Sequence, residues 1–138
     1  ATEDLTKAMD LAKIKGAIRV IPLQVSGAFH TPLMQPAVDS MAQIVGSISF
    51  QEPAFPVVAN ATAELMTTAE SVKAELIRQL CNCVQWQRSI EYMVNNGVST
   101  FIEIGPGKVL TGLIKRINKE VNTINIGDAE AVKSLADL

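Results

Sequence analysis

One histidine stands in the whole chain, His30, and it falls in the stretch VSGAFHTPLMQPA, Val25 to Ala37. Imidazole is the side chain best matched to proton transfer near neutral pH. Loops that leave strand ends are where α/β proteins present such groups to ligands. A packed or surface histidine with no chemical duty fits the same residue.

A histidine base needs a nucleophile to act on. The serines are Ser26, Ser40, Ser47, Ser49, Ser71, Ser89, Ser99 and Ser134, and none lies in the G-x-S-x-G elbow that exposes a hydroxyl above a sheet. The two cysteines, Cys81 and Cys83 in LCNCVQW, have no adjacent cation to favour the thiolate. No nucleophile–base pair is therefore complete within these residues. The C-x-C pair also falls short of the four ligands of a zinc site, with only His30 to add. On a helix its side chains would point about 200° apart, which disfavours a disulfide. Both read as packing thiols of a reducing compartment, the cytoplasm or an organelle of similar redox state such as a plastid.

A second candidate is EIGPGKVLTG, Glu103 to Gly112. A glycine loop between a strand and a helix N-terminus can offer backbone N–H groups to an anion. The Walker A spacing is absent, and a tight structural turn is the competing reading. Lys115, Arg116 and Lys119 form a basic stripe on the helix that follows, either a solvated face or a surface that steers an acidic partner.

The elements that must position these groups follow from periodicity. Thr2 caps a helix to about Lys15, which Gly16 ends. AIRVIPLQV, Ala17 to Val25, reads as a strand with Pro22 favouring an edge or an exit. A second helix covers roughly Leu33 to Val45, stopped by Gly46, and residues 50–56 with two prolines form irregular chain. VVANA is a short strand, and Thr67 with Glu70 makes a capping box for a helix from about Thr68 to Leu80. Trp86, Ile90, Met93 and Val94 mark the next helix, closed at Asn95–Gly97. STFIEI is a strand, GPGKVLTGLIKRINKE turns straight into a helix with Val109, Leu110, Leu113, Ile114 and Ile117 expected inward, NTINI is a last strand, and a short helix runs from Asp128 to Leu138. Alternating helices and short apolar strands define an α/β class with mainly parallel pairing. A sheet of three or four short strands leaves an edge open, which hints at an incomplete domain.

Composition agrees with a folded domain. Of 138 residues, 48% are hydrophobic and 19% charged, and the net charge is -2. No basic segment points to nucleic acid, no apolar run approaches the ~20 residues that span a bilayer, and Ala1–Leu11 does not read as a secretory signal.

Taken together, VSGAFHTPLMQPA, LCNCVQWQRSIEYM and FIEIGPGKVLTGLIKR resemble, in order and spacing, the C-terminal part of the malonyl-CoA:acyl-carrier-protein transacylases, relatives of the acyltransferase domains of polyketide synthases. The resemblance covers essentially the whole chain. It implies the C-terminal part of an α/β-hydrolase-like acyltransferase domain with an inserted ferredoxin-like subdomain, whose end would be residues 1–25, while 26–138 would belong to the large subdomain.

It also implies the activity: malonyl transfer from coenzyme A to the phosphopantetheine thiol of acyl carrier protein, in fatty-acid biosynthesis, through a serine-bound intermediate and without a cofactor. By its place in the motif His30 matches the catalytic histidine, and Gln85 matches the residue whose main-chain carbonyl orients it through Nδ1–H. Phe29 and Val109 are expected at the acyl pocket. The partners implied are acyl carrier protein, a coenzyme A thioester and the upstream half of the enzyme, with no nucleic acid and no membrane. The serine elbow, an N-terminal glutamine loop and the arginine that pairs with the malonyl carboxylate have no counterpart here, so this chain alone is expected to be inactive. A polyketide-type acyltransferase with another extender unit and a non-catalytic carrier-protein-binding module are the alternatives.

Overall fold

The computed structural model describes residues 2–135, and the side chains of residues 3–133. The capping role of Thr2 and residues 136–138 of the last helix lie outside that range. Helix α1, Thr2–Ile14, ends in a glycine cap: Gly16 takes φ +89°, and the N–H groups of Gly16 and Ala17 donate to Lys13 O and Ala12 O. A 3₁₀ turn, Pro32–Met34, leads into α2, Gln35–Ser47. Then come the hairpin strands β1, Val57–Val58, and β2, Leu65–Met66, and helix α3, Ala69–Arg78. Helix α4, Trp86–Asn95, precedes β3, Thr100–Ile104, α5, Val109–Ile117, β4, Asn122–Ile126, and α6, Ala129–Leu135.

The expected α/β alternation is present, but the sheet is not the single one foreseen. β1 and β2 pair antiparallel, and β3 and β4 pair parallel in the register Thr100↔Asn122 to Ile104↔Ile126, forming two separate two-stranded sheets among the described residues. Residues 18–25 carry no strand. Ile18, Ile21, Leu23 and Val25 there are largely exposed, because an extended segment without a neighbouring strand has no ladder to join and Pro22 supplies no N–H.

Two local signals shift. The capping box belongs to Thr68 and Ser71 rather than Thr67 and Glu70: Thr68 Oγ1 accepts from Ser71 N at 3.1 Å, and Thr68 N donates to Ser71 Oγ at 3.2 Å. Gly46 does not stop α2, which passes through it and ends where Ile48 turns extended.

The core lies between α4, α5 and the parallel sheet. Ile90, Ile114 and Val121 are its buried centre, with Trp86, Met93, Val94, Phe101 and Ile117 packed around them. The apolar residues of α4 and α5 fall at spacings of three and four, so each helix turns one stripe inward. β3 alternates, with Phe101 partly buried against this core and Ile102 and Ile104 51% and 80% exposed on the other face. A second packing unit joins α2 to α3.

Candidate functional site

His30 is held at the C-terminal end of α3. An α-helix leaves its last carbonyls without intrahelical donors, and those oxygens need partners from outside. Gln79, the residue that caps α3, offers its carbonyl to the imidazole, with His30 Nδ1 at 2.7 Å. The next carbonyl, Leu80 O, accepts the backbone N–H of His30 at 2.9 Å. Ring and backbone of one residue are thus fixed on two successive oxygens.

The loop that reaches this position has a backbone to match. His30 adopts φ +62°, in the left-handed region where non-glycine residues are uncommon and histidine is enriched. That conformation costs about 1 kcal/mol, and the two hydrogen bonds hold it in place. Thr31 closes the loop on the other side: its hydroxyl donates to Ala28 O at 2.7 Å and accepts from Leu33 N at 3.3 Å at the start of the 3₁₀ turn. Pro32 fits the first position of that turn, where no N–H is needed.

The expected partner, Gln85, is not the one used. Gln85 is the N-cap of α4, so its carbonyl already accepts the first bonds of that helix, from Ser89 N at 2.9 Å and Ser89 Oγ at 3.1 Å. A helix-starting carbonyl is committed, whereas a helix-ending one is free. Sequence reading missed Gln79 for a plain reason: the working atom is a main-chain oxygen, and the side chain gives no sign of it. The usable signal was the end of the α3 periodicity at Arg78–Leu80, which predicts unpaired carbonyls.

Because a carbonyl only accepts, its contact with Nδ1 places the proton there. Nε2 then carries the lone pair and is the nitrogen able to accept a proton. His30 is partly buried, neither sealed from a substrate nor washed on all sides.

The other expected site residues lie apart from this arrangement. Phe29 is 54% exposed, and its ring covers Gly27, where an added Cβ would meet Phe29 Cε2 at 2.9 Å. Val109 is 70% exposed at the start of α5.

The glycine loop does not offer an open anion site. Glu103 occupies the N-terminus of α5, its carboxylate accepting from Leu110 N at 3.1 Å, Thr111 N at 2.8 Å and the Thr111 hydroxyl. Hydrogen bonds from the Thr111 hydroxyl, then from Thr111 N–H, hold its pKa below the ordinary glutamate value against an opposing contribution from burial; Leu110 N–H and Asn125 add to the lowering. Gly105 and Gly107, at φ +133° and +98°, turn the chain so that the carboxylate reaches the helix it precedes. The basic stripe is broken as well, since Lys115 Nζ donates to Val121 O. Cys81 and Cys83 are free thiols, and Cys83 is exposed rather than packed.

No family model matches the chain. Individual proteins do. The chain is 43% identical over 126 residues, 91% of its length, to the malonyl CoA-acyl carrier protein transacylase of Bacillus subtilis. It superposes on the acyl-carrier-protein S-malonyltransferase of Bartonella henselae with a TM-score of 0.87 at 36% identity, over 98% of this chain and 43% of that one. It also superposes on a malonyl-transacylase in complex with its type II polyketide synthase acyl-carrier protein, with a TM-score of 0.88 at 39% identity, over 99% of this chain and 44% of that one. These neighbours, by their names, are malonyltransferases and malonyl transacylases, and the chain shares the fold of the part it covers. The chain is similar to malonyl CoA-acyl carrier protein transacylases over nearly all of its own length and spans about two fifths of the length of the relatives it matches, 40% of the Bacillus subtilis protein.

Proposed function

We propose that the chain supplies the base, and the carbonyl that orients it, to an enzyme that moves malonyl from coenzyme A to the phosphopantetheine thiol of acyl carrier protein. The observation that carries this reading is the anchoring of His30 Nδ1 on Gln79 O, which leaves Nε2 as the acceptor. A serine from residues of the relatives that this chain does not span loses its proton to Nε2 while its oxygen attacks the malonyl thioester carbon. The C–S bond then breaks, and the proton returns to the departing coenzyme A thiolate. In the second half Nε2 takes the proton of the carrier thiol, whose sulfur attacks the serine ester, and returns it to the serine oxygen. The imidazole is positively charged between these transfers, and the partial negative charge at the end of α3 faces it. No step needs a cofactor.

In this reading residues 1–25 end an inserted ferredoxin-like subdomain and 26–138 belong to an α/β-hydrolase-like one. The face of β3 that carries Ile102 and Ile104, together with Phe29 and Val109, is covered by the remaining residues, which complete the acyl pocket. The setting is cytoplasmic. Among the described residues no helix is long and apolar enough to cross a membrane.

The test is malonyl transfer by the full-length protein. H30A lowers the rate by about 10²–10⁴-fold, the usual worth of a general base. The 138-residue chain alone transfers nothing, and supplying the remaining residues restores transfer. Undiminished transfer by H30A overturns the reading. Parallel assays with malonyl-, methylmalonyl- and acetyl-CoA decide the extender unit.

A further inference from the structure

Deepening that reading, we infer that Asn60 is the positioning residue that fixes the carbonyl on which His30 turns. Gln79 O can orient an imidazole only if the turn from Gln79 to Gln85, between α3 and α4, stays in place. Asn60 holds both ends of that turn. Its side-chain Nδ2 donates to Gln79 Oε1 at 3.1 Å, and its own carbonyl accepts Gln85 N–H at 2.7 Å.

Asn60 is itself held. The neighbouring Ala61 N–H donates to Glu75 Oε1 at 2.7 Å, and Glu75 is one of the few buried polar side chains, 7% exposed, one turn before Gln79 on α3. The same segment is closed by Ala59 N donating to Glu64 O at 2.8 Å and Ala63 N to Ala59 O at 3.0 Å, with Ala63 at φ +60°. The loop between β1 and β2 is therefore a bracket against the end of α3. Asn60 acts on the reaction through Gln79 and His30, and touches no reacting atom itself. Its main-chain contact survives substitution, so only the amide-to-amide contact is open to mutation.

Two measurements on the full-length protein test this. N60A lowers kcat for malonyl transfer about tenfold, with KM for malonyl-CoA changed less than twofold, as expected for a displaced base rather than a lost binding contact. In the proton NMR spectrum the hydrogen-bonded Nδ1–H resonance of His30, assigned by its loss in H30Q, moves or broadens in N60A. Q79A removes the same contact from the other side and reproduces both effects, and N60A/Q79A adds nothing further. Should N60A fail to fold, Q79A decides alone. The inference is overturned if the resonance and kcat stay at wild-type values, if kcat falls while the resonance does not move, or if the two substitutions multiply. H30A separates the cases: transfer that survives it removes the functional reading, while the resonance still decides whether Asn60 positions the ring.

Discussion

His30 puts its two ring nitrogens to different uses. Nδ1 is spent on Gln79 O at 2.7 Å, and that contact leaves Nε2 for chemistry. The orienting group is neutral and belongs to the main chain, so no side-chain change at Gln79 can remove it; what a side chain can do is steady the turn that carries it. Gln85 has no such role, because its carbonyl is engaged by Ser89. Q85A in the full-length protein accordingly keeps its transfer rate within about twofold, against the 10²–10⁴-fold loss in H30A; steady-state assays of both variants decide it, and a tenfold loss in Q85A would return the orienting role to that residue. At this scale the sequence showed the imidazole, since His30 is alone in the chain and sits in a distinctive motif. It could not show the partner, because a carbonyl at position 79 looks like one at position 85 until the helix ends are known.

Helix ends also decide the glycine loop. Glu103 stands six residues ahead of Val109, and the turn through Gly105 and Gly107 brings its carboxylate onto the first N–H groups of α5. An acid at a helix N-terminus is favoured by the dipole and by the unpaired N–H groups. Of the two readings the loop's sequence leaves open, an anion cradle and a tight structural turn, the turn is the one that forms, and the carboxylate on the helix N–H groups is the chain's own. The elements fared by their length. α1 to α5 are each long enough for a 3.6-residue period to appear, whereas β2 is two residues and left no pattern, and residues 18–25 have a strand-like pattern but no neighbour.

The Glu103 contact predicts a pH dependence. Its folded pKa lies below the ordinary 4.5, so the stability it contributes is whole above that value and is lost as pH falls through the folded value. E103Q lowers the thermal midpoint at pH 7 and flattens its decline below pH ~4.5. Melting curves of wild type and E103Q from pH 3 to about 7 test it, and parallel declines would show that the carboxylate's charge is not what α5 uses.

For the molecule as a whole, what matters is which apolar surface is satisfied. The cluster of Ile90, Ile114 and Val121 gives α4, α5, β3 and β4 a shared core, yet Ile104 on the opposite face of β3 is 80% exposed. A parallel pair with one bare face is unusual, because parallel sheets are covered on both sides. The chain spans 40% of the Bacillus subtilis relative, and the proposed function places the remaining residues against this face. Ile104→Thr separates a covered face from a bare one. In the 138-residue chain the substitution changes stability by no more than about 0.5 kcal/mol, as at an exposed site. In the full-length protein it costs about 1.5–3 kcal/mol, because there the side chain is buried. Urea unfolding of both forms gives the two numbers. A full-length protein as indifferent to Ile104→Thr as the shorter chain would leave β3 facing water, and with it would go the claim that the acyl pocket is completed on this side of the sheet.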